Sequence, residues 1–177
     1  LQLIKRIKDS DILGGEPAYL DVVSRYASRG VLVDREMNVA MMYMSETDLY
    51  KLPGGGIENG ELPEDAFLRE IMEETGYEAE ITHVLGRIEE HKNRNGFMQL
   101  SYCYIAQAQH LATAPALTKK ERQLGMYVTW MNLSQALEVM SESLAKCRQY
   151  SPSFMLLRDK TILEQAFGII AGQRSPE

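Results

Sequence analysis

The chain has 177 residues, 45% of them hydrophobic and 25% charged, with a formal net charge of −6 and a sequence pI near 5.2. This is the balance of one soluble globular domain with enough length to bury a core, and it excludes disorder over most of the chain. The acidic surface argues against a nucleic-acid polymer as partner, since a phosphate chain would be repelled, but it admits a small phosphorylated ligand because a bound divalent metal inverts the local charge. Cys103 and Cys147 are too few for a disulfide framework, lack zinc-ligand spacing, and read as reduced thiols of a cytoplasmic protein. No apolar run reaches membrane-spanning length, so no membrane partner is expected. A homodimer is compatible with everything above.

Residues 1–17 read as a leader ending in the turn cluster Gly14-Gly15-Glu16-Pro17, and residues 18–177 as a single domain. β-prone runs follow at 29–33 and 39–44, joined by a hairpin connection at 34–38. A brief strand at 49–52 is stopped by Pro53 and three glycines. A helix is predicted over 63–75. Pro63 suits its first position, Glu64 and Asp65 suit the dipole of its first turn, and Gly76 ends it; Leu62 is a poor N-cap. Long strands are predicted at 77–91 and 97–109 around the turn residues Asn93 to Gly96, with another at 127–131. Two helices close the chain. One starts near Ser134, a usable cap, or at Leu133; the other starts near Ser153 and is ended by Gly172. Strands, helix, strands, helices is the order of an α/β (α+β) sandwich, with a mixed β-sheet between helices.

The chemistry lies in residues 54–77. At helical spacing Glu70, Glu73 and Glu74 fall within an arc of roughly 100°, while Phe67, Leu68, Ile71 and Met72 form the opposite, buried stripe. Three such carboxylates repel one another unless a cation neutralises them, and hard oxygen ligands in that number suit Mg²⁺ or Mn²⁺. The preceding glycines let a phosphate or metal approach the main chain. Taken alone, an acidic helix face is ordinarily solvated surface.

The whole segment is not ordinary. Gly55, Glu61, Arg69, Glu70, Ile71, Glu73, Glu74 and Gly76 stand in the register of glycine, five residues, glutamate, seven residues, then Arg-Glu-aliphatic-x-Glu-Glu-x-Gly-aliphatic. The segment resembles the Nudix box, with Tyr77 in place of the last aliphatic residue, and a chance match at a given start is on the order of 10⁻⁹ from average residue frequencies. The resemblance implies an α/β/α sandwich and a Mg²⁺-dependent hydrolase that cleaves a diphosphate linkage. It implies Glu70 and Glu74 as principal metal ligands, Glu73 as a further ligand or catalytic group, and the Gly55 carbonyl in the metal shell. Arg69 would pair with a box glutamate and orient it, and Glu61 would be a structural partner within the loop-helix unit. The general base varies in position among members. Glu121, in the expected loop just before the strand of Trp130, resembles the loop glutamate of several members, with Glu89 and Glu90 as weaker alternatives.

Arg25 and Arg29 flank the first core strand, where related enzymes often contact substrate. Lys119, Lys120 and Arg122 could meet phosphates but read more simply as solvated charge. Trp130 reads as core, and His91 as a surface strand residue without a partner motif. The implied substrate is MutT-like: a nucleoside triphosphate or a nucleoside diphosphate linked to another moiety. ADP-ribose or another nucleotide sugar is the alternative, although residues 78–114 lack the proline that ADP-ribose-cleaving members commonly carry. A reading from another class is a ligand-binding regulator on the same fold that has lost catalysis, but such proteins usually show eroded box carboxylates, and these are intact.

Overall fold

The computed structural model describes residues 1–173. One sheet organises the chain. Its strands are β1 (Leu3–Lys8), β2 (Arg25–Val33), β3 (Asn38–Met44), β4 (Leu49–Lys51), β5 (Gly54–Gly56), β6 (Tyr77–Lys92), β7 (Phe97–Leu111) and β8 (Met126–Asn132). The path runs β1-β6-β7-β2-β3-β4, with β5 paired to β2 and β8 to β3. β1 lies parallel to β6 and β2 parallel to β7; the remaining pairings are antiparallel, so the sheet is mixed as expected.

The helices are α1 (Asp9–Leu13), α2 (Pro63–Thr75), α3 (Lys119–Gln123), α4 (Leu133–Lys146) and α5 (Tyr150–Gln173). Side chains alternate across each strand, so β2 sends Val31 and Val33 to one face and Leu32 to the other. Val31, Val33, Met41 and Ile105 pack against Met140 of α4 and Phe154 and Leu163 of α5. Leu32, Ala40, Tyr104 and Ala106 pack against Phe67 and Ile71 of α2. Both faces are covered, which is why the central strands read as continuous apolar runs.

Four local expectations change. The segment read as a leader contains β1, whose Ile7 is fully buried; its lysines and arginine hid it, because edge strands are commonly charged. The cap of α4 is Asn132, which with Gln135 forms a reciprocal capping box, and Ser134 lies inside the first turn. α5 begins at Tyr150 and runs through Gly172. The glycine run is itself a strand, β5. Among the described residues no helix is long and apolar enough to cross a membrane.

Candidate active site

β5 lies between β2 and α2, and its glycines are what allow this. A Cβ on Gly54 would stand 2.3 Å from the Cβ of Arg29, and one on Gly55 would stand 2.3 Å from Glu70 Oε1. The Glu70 carboxylate therefore rests against the Gly55 backbone. α2 is pinned at its start by the Ser28 hydroxyl, which donates to the Pro63 carbonyl at 2.6 Å, and along its length by buried Ala66, Phe67 and Ile71. Gly76 ends it in the left-handed region, φ 79°. Tyr77 packs edge-on against Trp130, ring centroids 5.4 Å apart, so an aromatic pair fills the place of the usual aliphatic residue.

Arg69 binds the box together. It makes a two-bond fork with Glu61, Nε to Oε1 at 2.7 Å and Nη2 to Oε2 at 3.0 Å. The same guanidinium donates to Glu70 Oε1 at 3.0 Å, to Glu73 Oε2 at 3.1 Å and to the Gly56 carbonyl at 3.0 Å. The Arg69 hydrogen bonds hold Glu61 below the usual carboxylate range, while burial pushes Glu70 up against the opposing pull of Arg69. Glu74 lies deeper, 1% exposed. Lys51 on β4 donates to its Oε1 at 3.0 Å, and its Oε2 is buried with no partner. Burial raises Glu74 to about 7, with Lys51 opposing the shift.

Among the described residues no three acidic, histidine or cysteine side chains converge closely enough to hold a metal. Two cations neutralise the box carboxylates instead, Arg69 bridging Glu61, Glu70 and Glu73, and Lys51 pairing with Glu74. The donor set still fits a hard divalent cation: carboxylates on one helix face, a main chain bared by glycine, and an orphaned buried carboxylate oxygen on Glu74. A cation drawing on Glu74 would displace the Lys51 ammonium.

A cleft of about 900 Å³ opens above this helix. Glu70, Glu73 and Arg69 form one wall, and Arg25 and Arg29 of β2 form part of another. Glu121 also lines it, although it stands in the helical turn α3 and not in a loop. The chain from α2 to α3 is tied back to the box by the Ala116 N–H, which donates to the Glu73 carbonyl at 2.7 Å. Thr118 and Glu121 then cap α3 reciprocally. Lys120 faces the cleft as well.

Other residues settle elsewhere. His91 is not a surface residue: it is 2% exposed, accepts from the Leu20 N–H at 2.9 Å and meets Glu89 at 3.0 Å. Glu89 also binds Arg6 of β1, the strand absent from the sequence reading. Glu90 is fully buried against Arg158 of α5. Trp130 packs on the α2 side of the core as expected. Sequence reasoning missed Lys51, Lys92 and Arg158, all of which line the cleft. The one available signal was that Arg158 and Asp159 interrupt an otherwise apolar helical run.

The NUDIX domain family model matches residues 23–150. The chain belongs to the Nudix family. Over 56 residues, 32% of this Nudix chain and 38% of the relative, it is 34% identical to the "Putative 8-oxo-dGTP diphosphatase" of Bacillus subtilis (strain 168). The match thus spans well under half of that curated relative. Its fold is similar to a solved NUDIX hydrolase from Nitrosomonas europaea, TM-score 0.59 at 18% identity, covering 86% of this chain and 92% of that one. It is also similar to a UDP-X diphosphatase, TM-score 0.57 at 16% identity, covering 94% and 71%.

Proposed function

We propose that this Nudix chain is a Mg²⁺-dependent pyrophosphohydrolase that splits a diphosphate linkage in a nucleotide-like substrate, a nucleoside triphosphate or a nucleoside diphosphate joined to another group. The observation that carries the reading is Glu74 Oε2, an orphaned buried oxygen on the same helix as Glu70 and Glu73, which line the cleft with the glycine strand. Glu70, Glu74 and the Gly55 carbonyl would hold the cation, with Glu73 beside them. When bound, Mg²⁺ would neutralise phosphoryl oxygens and favour ionisation of an attacking water.

The chain's own residues do the rest. Arg69 fixes the Glu70 and Glu73 carboxylates by hydrogen bonds and is itself fixed by Glu61. Glu121, across the cleft, is the group we assign to take the proton of the attacking water. Arg25 and Arg29 offer guanidinium donors to phosphate oxygens. Met44, Leu49, Leu124 and Met126 give the cleft an apolar side on which a base could rest, and methionine adapts readily to flat rings. The names of the relatives, an 8-oxo-dGTP diphosphatase and a UDP-X diphosphatase, support both substrate groups.

The test is chromatographic product analysis with Mg²⁺ and with excess chelator, reading nucleotide with phosphate or pyrophosphate from nucleoside triphosphates, and nucleoside monophosphate with sugar phosphate from ADP-ribose and nucleotide sugars. Metal-dependent turnover of one group is expected. Binding of such ligands without any turnover would instead support a regulator.

A further inference from the structure

The sheet face beneath α5 changes character along its length. Near the domain centre it is apolar, with Val31, Ile88 and Ile105 packed on the helix. Toward the cleft it becomes ionic. Strand alternation and register put Arg25 and Arg29 of β2, Gln99 and Ser101 of β7, and Glu90 and Lys92 of β6 on this one face. α5 adds Arg158 and Asp159.

Both carboxylates of this cluster bond Arg158, and Glu90 Oε1 is buried without a partner. Arg158 donates from Nε to Asp159 at 2.7 Å and from Nη1 to Glu90 Oε2 at 3.3 Å. Asp159 accepts the Leu52 N–H at 2.9 Å, and Glu90 accepts Gln99 Nε2 at 2.8 Å. The other three cations have no such partner. Arg29, 4% exposed, makes one hydrogen bond, from Nε to the Ser101 hydroxyl at 3.1 Å. Arg25 reaches only the Gln99 side-chain oxygen, at 3.3 Å. Lys92 lies over the rings of Phe97 and Phe154 at 5.9 and 5.7 Å. Among the described residues none of these three forms an ion pair, and all three line the cleft. Burial pulls Lys92 below its ordinary value against the attraction of Glu90, and burial with repulsion from Arg158 brings Arg29 down to about 10 against the attraction of Asp159 and Glu90.

Arg29 is a buried cation with no carboxylate bonded to it, which is costly, and half-buried Lys92 and exposed Arg25 add like charge beside it in the same cleft, which gains a scaffold nothing. We propose that Arg25, Arg29 and Lys92, backed by Arg158 on α5, form a phosphate subsite for an anionic group of the substrate other than the diphosphate held on the box. The family match ends at residue 150, the first residue of α5, so the part of the cleft formed by Met155 and Arg158 lies on helix beyond the matched range. The subsite favours substrates bearing a third phosphate over those ending in an uncharged sugar. Only the nature of that substrate rests on the hydrolase reading; the affinity for phosphate does not.

Thermal unfolding of the full chain in excess chelator, titrated with inorganic tripolyphosphate, tests this without turnover. Tripolyphosphate should raise the unfolding temperature of the wild type. In Lys92→Met the concentration for half effect should rise about tenfold, while the ligand-free variant unfolds at the same or a higher temperature, because an unpaired charge has gone. Arg25→Gln, at the exposed end of β2, should show the same weakening and serves if Lys92→Met does not fold. No stabilisation of the wild type, or equal half-effect concentrations in wild type, Lys92→Met and Arg25→Gln, would overturn the subsite. Anion binding by a chain that hydrolyses nothing would sink the hydrolase reading and leave the subsite standing.

Discussion

Lys51 Nζ lies 3.0 Å from Glu74 Oε1 and 3.2 Å from the Gly54 carbonyl, so one ammonium joins the box helix to the glycine strand while Glu74 Oε2 stays unpartnered. Burial holds the folded-state pKa of Glu74 at about 7, above the ordinary 4.5. Between those values the folded protein keeps a proton that the unfolded chain releases, so this residue's contribution to stability falls as pH rises through the window. Glu74→Gln abolishes that titration. The unfolding free energy of the metal-free variant, relative to wild type, should therefore increase by up to ~3 kcal/mol between about pH 5 and about pH 8. Denaturant unfolding at both pH values measures the gap, and a gap independent of pH would refute the burial of this charge.

The same substitution should abolish most turnover, because it removes a charge assigned to the metal. A loss of about 100-fold or more at saturating Mg²⁺ is expected, at the upper end of losses seen when metal sites are disturbed. Excess chelator should abolish hydrolysis in the wild type. Near-normal activity in either experiment would show the metal ligands to be misassigned.

Gly55→Ala isolates the contact between β5 and the box. The new Cβ would stand 2.3 Å from Glu70 Oε1, the free end of a flexible side chain, so the carboxylate must shift while the strand stays. The Mg²⁺ concentration for half-maximal rate should rise roughly tenfold, in the range for disturbed metal ligands. Circular dichroism should be unchanged. An unaltered Mg²⁺ dependence would mean that the Glu70 position is irrelevant to the cation.

Glu121 carries two roles that substitution can separate. Its carboxylate accepts the Thr118 N–H at 2.8 Å as part of the α3 cap, and it also lines the cleft. Glutamine serves equally well in a capping box, so Glu121→Gln removes the charge and keeps the turn. A general base contributes ~10²–10⁴-fold, and kcat should fall by that order with KM little changed. If kcat stays within about threefold, roughly 0.7 kcal/mol in the barrier, the base must be sought at Glu73.

The box shows how far local information reaches. The bounds of α2, its glycine stop and the shared face of Glu70, Glu73 and Glu74 all follow from spacing within 24 residues, because helical period and capping are short-range properties. Long strands with turn residues between them were legible for the same reason. The sequence thus determined the family, the helix that carries the acid cluster, and the strand frame around it. The tertiary structure decided which cations meet those acids and what closes the cleft. Lys51 reaches Glu74 across 23 residues, Arg6 reaches Glu89 across 83, and Arg158 reaches Glu90 across 68. Nothing in the local sequence marks such pairs, since a charged residue on a strand or helix is normally solvated and becomes a buried partner only when distant elements pack over it. His91 and β1 were misread for that reason, and α5, read as a closing helix, becomes a wall of the site because its Arg158 finds its second carboxylate on the sheet.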